Sequence, residues 1–225
     1  NTYNHQWDKN VGYYIETLMF ISTDKACAPI NVYGMCKAIS ERLYINFANK
    51  QNALAQADYS RPLTKVVLCR YGNVLESTGS VIPFFKQLLD NGATELPITH
   101  KDMTRFLLTL DDAVDLIEWS YSHRESHGKI VIPNIKALKI TDIAKSLGRS
   151  YGHEDIKLKY VGIRPGEKLH EAMISETESF RTEECDRYYM ITDEIINDKC
   201  WSFTSDQSLM ESEETDIFLK ESKVI

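Results

Sequence analysis

The sequence predicts an α/β protein built on a doubly wound, mostly parallel sheet with a smaller mixed α/β lobe, and three observations carry that prediction. Residues 18–21 and 65–70 are apolar runs of strand length, and each is followed by a segment with helical spacing. Strands and helices keep alternating through the first half of the chain, as βα units in a parallel sheet require. In the second half the elements shorten and the alternation loosens, which sets a soft boundary near residue 75. Residues 1–75 then form one unit and residues 76–225 mainly the second lobe, with some segments returning to the first sheet.

Taken in order, residues 1–16 have neither clean periodicity nor a capping signal and receive no assignment. The strand at 18–21 delivers Thr23, Asp24 and Lys25 to its carboxyl end, where open α/β sheets bind ligands. After the loop at Pro29, a helix is predicted from Val32 to about residue 51, with Met35, Ile39, Leu43 and Phe47 on its apolar face and Lys37, Glu41 and Lys50 on its polar face. Residues 52–62 read as a polar connection. The second buried strand, 65–70, ends in the glycine turn Arg70-Tyr-Gly-Asn-Val74. Gly79, Ser80 and Pro83 open a helix that runs to about residue 89, and Asn91-Gly92 stops it.

Residues 96–99 form a short strand, 100–104 a polar loop, and 106–109 return to the core. Thr109 and Asp112 have the spacing of a capping pair for a helix over 111–123, with Val114, Ile117 and Tyr121 on its apolar side. A strand at 130–132 precedes a helix over 142–147 capped by Thr141, and 156–161 alternates like a half-buried strand. The charged loop 162–168 is bounded by glycine and proline, and a helix is predicted from about 169 to 174. Residues 188–191 could add a strand. The acidic end, with Glu211, Glu213, Glu214 and Asp216, reads as a solvated helix or tail.

Composition narrows the function classes. In 225 residues, 43% hydrophobic and 26% charged, there is material for a substantial core and no signature of disorder. A net charge of −7 without a basic stripe disfavours a nucleic-acid partner. Cysteines 27, 36, 69, 185 and 200 form no CxxC pair and no regular spacing, so neither a zinc site nor a disulfide framework is expected. No apolar run approaches the roughly 18 residues that span a bilayer, and the polar start is unlike a secretory signal. These features together predict a cytoplasmic protein without a membrane partner.

The candidate chemistry gathers between residues 21 and 37. Tyr33 and Lys37 are four apart and would share a helix face. Such pairs are common in helices, so their meaning depends on context. A lysine one turn away favours the phenolate of a tyrosine whose ordinary pKa is about 10. That phenolate could take a proton from a sugar hydroxyl while hydride leaves for a nicotinamide. Asp24 and Lys25 are either an exposed turn pair or an acid and a base sharing one substrate, the carboxyl protonating a leaving hydroxyl and the amine removing a proton beside a carbonyl. Arg105 and Arg164 are either surface arginines or cations for a diphosphate. Asn73 is either a turn former or a ligand donor. His5, His123, His127, His153 and His170 read as surface residues, and no metal-ligand spacing is present.

Five motifs in order turn these readings into a resemblance. Ser-Thr-Asp-Lys-Ala (22–26), Asn-Val-Tyr-Gly-x-x-Lys (31–37), Arg-Tyr-Gly-Asn-Val-Leu-x-Ser-x-Gly-Ser-Val-Ile-Pro-x-Phe (70–85), Met-Thr-Arg-Phe (103–106) and Arg-Pro-Gly-Glu-Lys (164–168) follow one another along the chain. They resemble the nucleotide-sugar 4,6-dehydratases of the extended short-chain dehydrogenase/reductase superfamily. The pattern is most similar to the group that removes water from UDP-N-acetylglucosamine and inverts C5. The resemblance implies a Rossmann-like nucleotide-binding unit with the catalytic helix in 1–75 and a UDP-sugar lobe in 76–225. It also implies NADP, or NAD, as cofactor and a homo-oligomer. By the same resemblance Thr23, Tyr33 and Lys37 are the Ser/Thr-Tyr-Lys set, with Tyr33 and Lys37 also at the cofactor. Asp24 is the acid for the C6 hydroxyl and Lys25 the base at C5. Asn73, Arg105, Arg164 and Glu167 hold the UDP moiety.

The chain departs from the pattern at one point. None of its ten glycines makes the Gly-x-x-Gly-x-x-Gly turn that seats the dinucleotide. The resemblance therefore implies a dinucleotide-binding part of about one hundred residues ahead of Asn1. Two other readings compete with the dehydratase. One is a C4 epimerase of the same superfamily, which has no need of Asp24 and Lys25, and the other is a UDP-sugar-binding module without catalysis.

Overall fold

The structure is a computed structural model that describes residues 14–57 and 63–225. Most of the unassigned start, and residues 58–62 of the predicted connection, lie outside the described residues. In order, the elements are β1 (Thr17–Thr23), a 3₁₀ turn (Asp24–Ala26), α1 (Val32–Ala57), β2 (Lys65–Tyr71), β3 (Asn73–Val74), α2 (Val81–Asp90), β4 (Glu95–Ile98), β5 (Thr104–Leu108) and α3 (Leu110–Ser122). There follow β6 (Ile130–Pro133), β7 (Ala137–Lys139), α4 (Ile140–Ser150), β8 (Lys157–Tyr160), β9 (Ala172–Ile174), α5 (Glu176–Ser179), β10 (Thr182–Cys185), β11 (Tyr188–Ile191), β12 (Phe203–Thr204) and α6 (Ser212–Glu221).

The principal sheet has the order β1-β2-β6-β11-β10. It is parallel from β1 through β6, and the hairpin β10–β11 joins it antiparallel. Val66 to Cys69 of β2 are completely buried, the condition that makes a central parallel strand an unbroken apolar run. One face of the sheet packs Val66, Leu68 and Ile132 against Ile45 and Ala48 of α1, and the other packs Val67, Cys69 and Val131 against Leu116 of α3. Helices on both faces give a Rossmann-like α/β architecture. A separate core joins Ile82 and Phe85 of α2, Leu96 and Ile98 of β4, Ile143 and Leu147 of α4 and Leu219 of α6.

Several predicted elements differ from the fold, each for a physical reason. Helix α1 continues to Ala57, because Ala53, Leu54, Ala55 and Gln56 favour helix and no breaker interrupts them. Its stripe of Met35, Ile39, Leu43 and Phe47 is exposed, and it is Gly34, Glu41, Ile45 and Ala48 that face inward. Glu41 belongs to that inner face because Arg70 of β2 meets it there, 2.6 Å away. In α3, Val114 and Tyr121 are likewise exposed, while Ala113, Leu116 and Ser120 are buried. The capping box of Thr109 and Asp112 forms as predicted. Thr141 lies inside α4 and caps nothing, since the helix opens after Lys139.

Residues 169–174 form no helix: Leu169 and His170 bend, and Ala172–Ile174 is β9. Their backbone is taken up from outside: Thr104 donates to the Leu169 carbonyl, Arg105 to the Lys168 and Leu169 carbonyls, and the Ser205 amide to the Glu171 carbonyl. The acidic end forms α6, which buries Thr215 and Leu219 and is held to α4 by Arg149 and Asp216 at 2.6 Å.

Candidate active site

The carboxyl end of β1 is where the sheet hands the chain to the site. Thr23 Oγ1 accepts the Lys25 amide at 3.4 Å and the Cys27 amide donates to the Asp24 carbonyl at 3.0 Å, which closes the tight 3₁₀ turn. That turn drives Asp24 inward to 0% exposure. Its Oδ1 accepts from Thr23 Oγ1 at 2.9 Å and from Lys25 Nζ at 3.0 Å. Lys25 Nζ also donates to Asn73 Oδ1 at 3.1 Å. Asn73 is in reach because β2 runs beside β1 with Tyr71 opposite Thr23, and β3 begins just beyond.

Two glycines permit these approaches. A Cβ on Gly34 would stand 2.2 Å from the Lys25 carbonyl oxygen, so the first turn of α1 rests directly on the backbone of the Asp24–Lys25 turn. A Cβ on Gly72 would meet the Phe106 carbonyl oxygen at 2.5 Å. Asn31 Oδ1 accepts the Gly34 amide at 2.9 Å at the start of the helix, while its Nδ2 donates to the Gly166 carbonyl at 2.9 Å.

Tyr33 and Lys37 stand apart from that hydrogen-bonded set. Tyr33 is 55% exposed. Lys37 Nζ donates to the Ile21 carbonyl at 2.8 Å, with the Phe20 ring centroid 4.8 Å away and the Tyr33 ring 6.0 Å away. The expected residues thus form a connected group, Thr23-Asp24-Lys25-Asn73, and a separate tyrosine–lysine pair at the same strand end.

A cleft of about 620 Å³ opens beside Lys25 and Asn73, within the size range of small-molecule sites. Arg105, Arg164 and Glu167 line it. The Arg105 guanidinium is largely committed to backbone, donating to the carbonyls of Thr104 (2.7 Å), Lys168 (2.9 Å) and Leu169 (3.1 Å), with Glu167 at 3.4 Å. The Arg164 amide donates to Glu167 Oε2 at 3.4 Å, and its side chain is exposed.

One carboxylate of the cleft wall is not among the residues expected from the sequence. Glu171 is only 4% exposed, and its Oε2 has no hydrogen-bond partner among the described residues; Lys168 Nζ is 3.5 Å away. Burial first, and then the charge of Asp24, push its pKa up, while Lys25, Arg105 and Lys168 pull the other way. Asp24 Oδ2 is likewise unpartnered. A signal existed in a glutamate set inside the apolar run Leu169 to Ile174, but the predicted helix hid it.

Residues 6–193 match the family described as polysaccharide biosynthesis protein. The chain belongs to that family. It is 43% identical over 185 residues to the UDP-N-acetylglucosamine 4,6-dehydratase (inverting) of Campylobacter jejuni subsp. jejuni serotype O:2, a match covering 80% of this chain and 50% of that one. It is 37% identical over 179 residues to the UDP-glucose 4-epimerase of Rickettsia canadensis, covering 79% and 49%. Among solved structures it is similar to Pen from Bacillus thuringiensis, with a TM-score of 0.78, 25% identity, and coverage of 93% of this chain and 64% of that one. The chain spans about half the length of the curated relatives it matches.

In this family member the fit of a nicotinamide dinucleotide is partial. An exposed tyrosine with an anchored lysine beside it, at the end of a parallel strand, suits the nicotinamide-ribose end. The ten glycines make no phosphate-cradling turn for the pyrophosphate end.

Proposed function

We propose that this chain carries the acid–base machinery of an inverting UDP-N-acetylglucosamine 4,6-dehydratase, a lyase that also acts as a 5-epimerase. The observation that carries the reading is Lys25 Nζ bridging Asp24 and Asn73 at the edge of the cleft. Loss of water across C5 and C6 needs a neutral amine to take the C5 proton and a carboxylic acid to protonate the departing C6 hydroxyl. Moving one proton along the 3.0 Å hydrogen bond from Lys25 to Asp24 makes both groups at once. Asn73 keeps the amine aimed while that proton moves. Thr23 fixes the Asp24 carboxyl from the other side.

Tyr33 and Lys37 are assigned to the C4 hydroxyl and to the ribose of the cofactor, NADP or NAD. When bound, that cofactor supplies hydride acceptance and return. Arg164, Glu167, Arg105 and Asn73 are assigned to the UDP-sugar. We assign residues 1–75 to the cofactor side and 76–225 mainly to the substrate side, with β6, β10 and β11 returning to the principal sheet. The exposed stripe of Met35, Ile39, Leu43 and Phe47 supports the homo-oligomer that the resemblance implies.

The test is incubation of the purified protein with UDP-N-acetylglucosamine and NADP, read by mass spectrometry and NMR. A product lighter by one water and inverted at C5 is expected. The similarity to the Rickettsia epimerase favours a second reading, C4 epimerisation without water loss, and that product would overturn the dehydratase. UDP binding by calorimetry with no response to NADP would leave only a binding module.

A further inference from the structure

Inversion at C5 sets a requirement that Lys25 alone does not meet. A base that removes the C5 proton from one face leaves the planar enolate of the 4-ketone, and the inverted product needs a proton delivered to the other face. Among the described residues two carboxyl groups line the cleft, Glu167 and Glu171. Glu167 is engaged, with Oε1 accepting from Arg105 at 3.4 Å and Oε2 from the Arg164 amide at 3.4 Å. Glu171 differs in being nine-tenths buried, with an Oε2 that accepts no hydrogen bond among the described residues and has only an ion-pair contact. Its nearest cation, Lys168, is 3.5 Å away and already donates to the Cys27 carbonyl at 2.7 Å.

The position of Glu171 is fixed by its backbone. Its amide donates to Ser205 Oγ at 2.9 Å, and its carbonyl accepts the Ser205 amide at 2.8 Å. Ser205 Oγ is in turn 2.6 Å from Thr104 Oγ1, which contacts His170 Nδ1 at 2.8 Å. A carboxyl so anchored in a water-poor cleft wall, its side chain held by no hydrogen bond among the described residues, is suited to holding and exchanging a proton.

We propose that Glu171 is the second proton-carrying catalytic residue of the cleft, exchanging its proton with C5 of the sugar on the face opposite Lys25. The inference rests on the dehydratase reading. In the step, the O–H bond of Glu171 breaks and the enolate electron pair forms the new C5–H bond. The C4 carbonyl re-forms, and Glu171 is left as a carboxylate beside Lys168. In reverse, that carboxylate removes the C5 proton of the inverted sugar. Burial and the neighbouring Asp24 charge, which raise the proton affinity of Glu171 against the pull of Lys25, Arg105 and Lys168, support a resting carboxylic acid.

The experiment follows C5 hydrogen–deuterium exchange by NMR, with the holoenzyme in heavy water and the two C5 epimers of the UDP-4-keto-6-deoxy sugar. No hydride moves in this assay. Glu171→Gln is expected to slow exchange of the inverted epimer by about a hundredfold or more while the non-inverted epimer exchanges at the wild-type rate, and Lys25→Met is expected to give the mirror pattern. Exchange of both epimers at wild-type rates in Glu171→Gln, or equal loss of both, would overturn the proposal. Should Glu171→Gln fail to fold, Glu171→Asp, which keeps the carboxyl but draws it back, must slow the inverted epimer alone. If the wild type removes no water from UDP-N-acetylglucosamine, the dehydratase reading falls. If it does and Glu171→Gln exchanges normally, only the role of Glu171 is rejected.

Discussion

Two clusters of buried charge meet at the end of β1, and they differ in how fully their oxygens are used. Ser22 belongs to one and Thr23 to the other, since successive side chains of a strand point to opposite faces. On the Ser22 side, Arg70 is 1% exposed and commits every N–H: two bonds to Glu41, two to Glu178 and one to the Met173 carbonyl. Ser22 donates to Glu41 at 2.6 Å, and Ser175 supplies Glu178 with an amide and a hydroxyl. Cys27, its thiol pushed up to about 12 by burial and then by the Glu178 charge, completes this cluster as a neutral donor at 3.4 Å. On the Thr23 side, Asp24 and Glu171 each keep an oxygen without a hydrogen bond among the described residues. Burial of charge is common to both clusters. Unused bonding capacity beside a cleft distinguishes the one suited to chemistry.

The comparison breaks first at Arg70. Arg70→Met leaves two buried carboxylates without their cation and should cost about 3–5 kcal/mol of stability, measured by urea unfolding. Glu178 gives the next effect. Burial opposes its ionisation, but the Arg70 charge and the hydrogen bonds from Arg70 and Ser175 outweigh that and hold it at about 2. Because the folded value lies below the ordinary 4.5, its contribution is complete above pH 4.5 and is lost as pH falls from there towards 2. That loss should amount to roughly 3 kcal/mol, and Glu178→Gln should flatten this acid limb in urea midpoints taken across pH. The smallest stability change should come from Asp24→Asn, at about 1 kcal/mol or less, while the dehydration proposed for the site should fall by about 10²–10⁴-fold in a coupled mass assay. A loss of stability in Asp24→Asn as large as in Arg70→Met would erase the distinction between the clusters.

What the sequence disclosed follows the range of each interaction. The strands at 18–21 and 65–70 and the capping box at Thr109 and Asp112 depend on near neighbours, so local pattern finds them. The residues from Thr23 to Lys37 lie within a single stretch of 15 positions, and their spacing is readable before any folding is considered. Helix α1 marks the limit: periodicity tells which residues share a face, but not which face is covered. Met35, Ile39, Leu43 and Phe47 share a face, yet Gly34 and Ala48 are the residues small enough for α1 to lie against its neighbours. Glu171 escaped because its setting is made by Thr104 and Ser205, far away along the chain, which turn an apparent helix into an extended wall.

Two bonds across the rim of the cleft have a further consequence. Lys168 Nζ reaches the Cys27 carbonyl and Asn31 Nδ2 the Gly166 carbonyl, contacts between residues 141 and 135 positions apart. Bringing such distant points together has a conformational-entropy cost set by loop closure, and folding of the chain meets it before any ligand arrives. A ligand laid between the turn at Asp24 and the loop at Arg164 therefore finds its two shores already tied. Its contacts can go into affinity and alignment instead of into ordering the loops, which is the advantage of preorganisation.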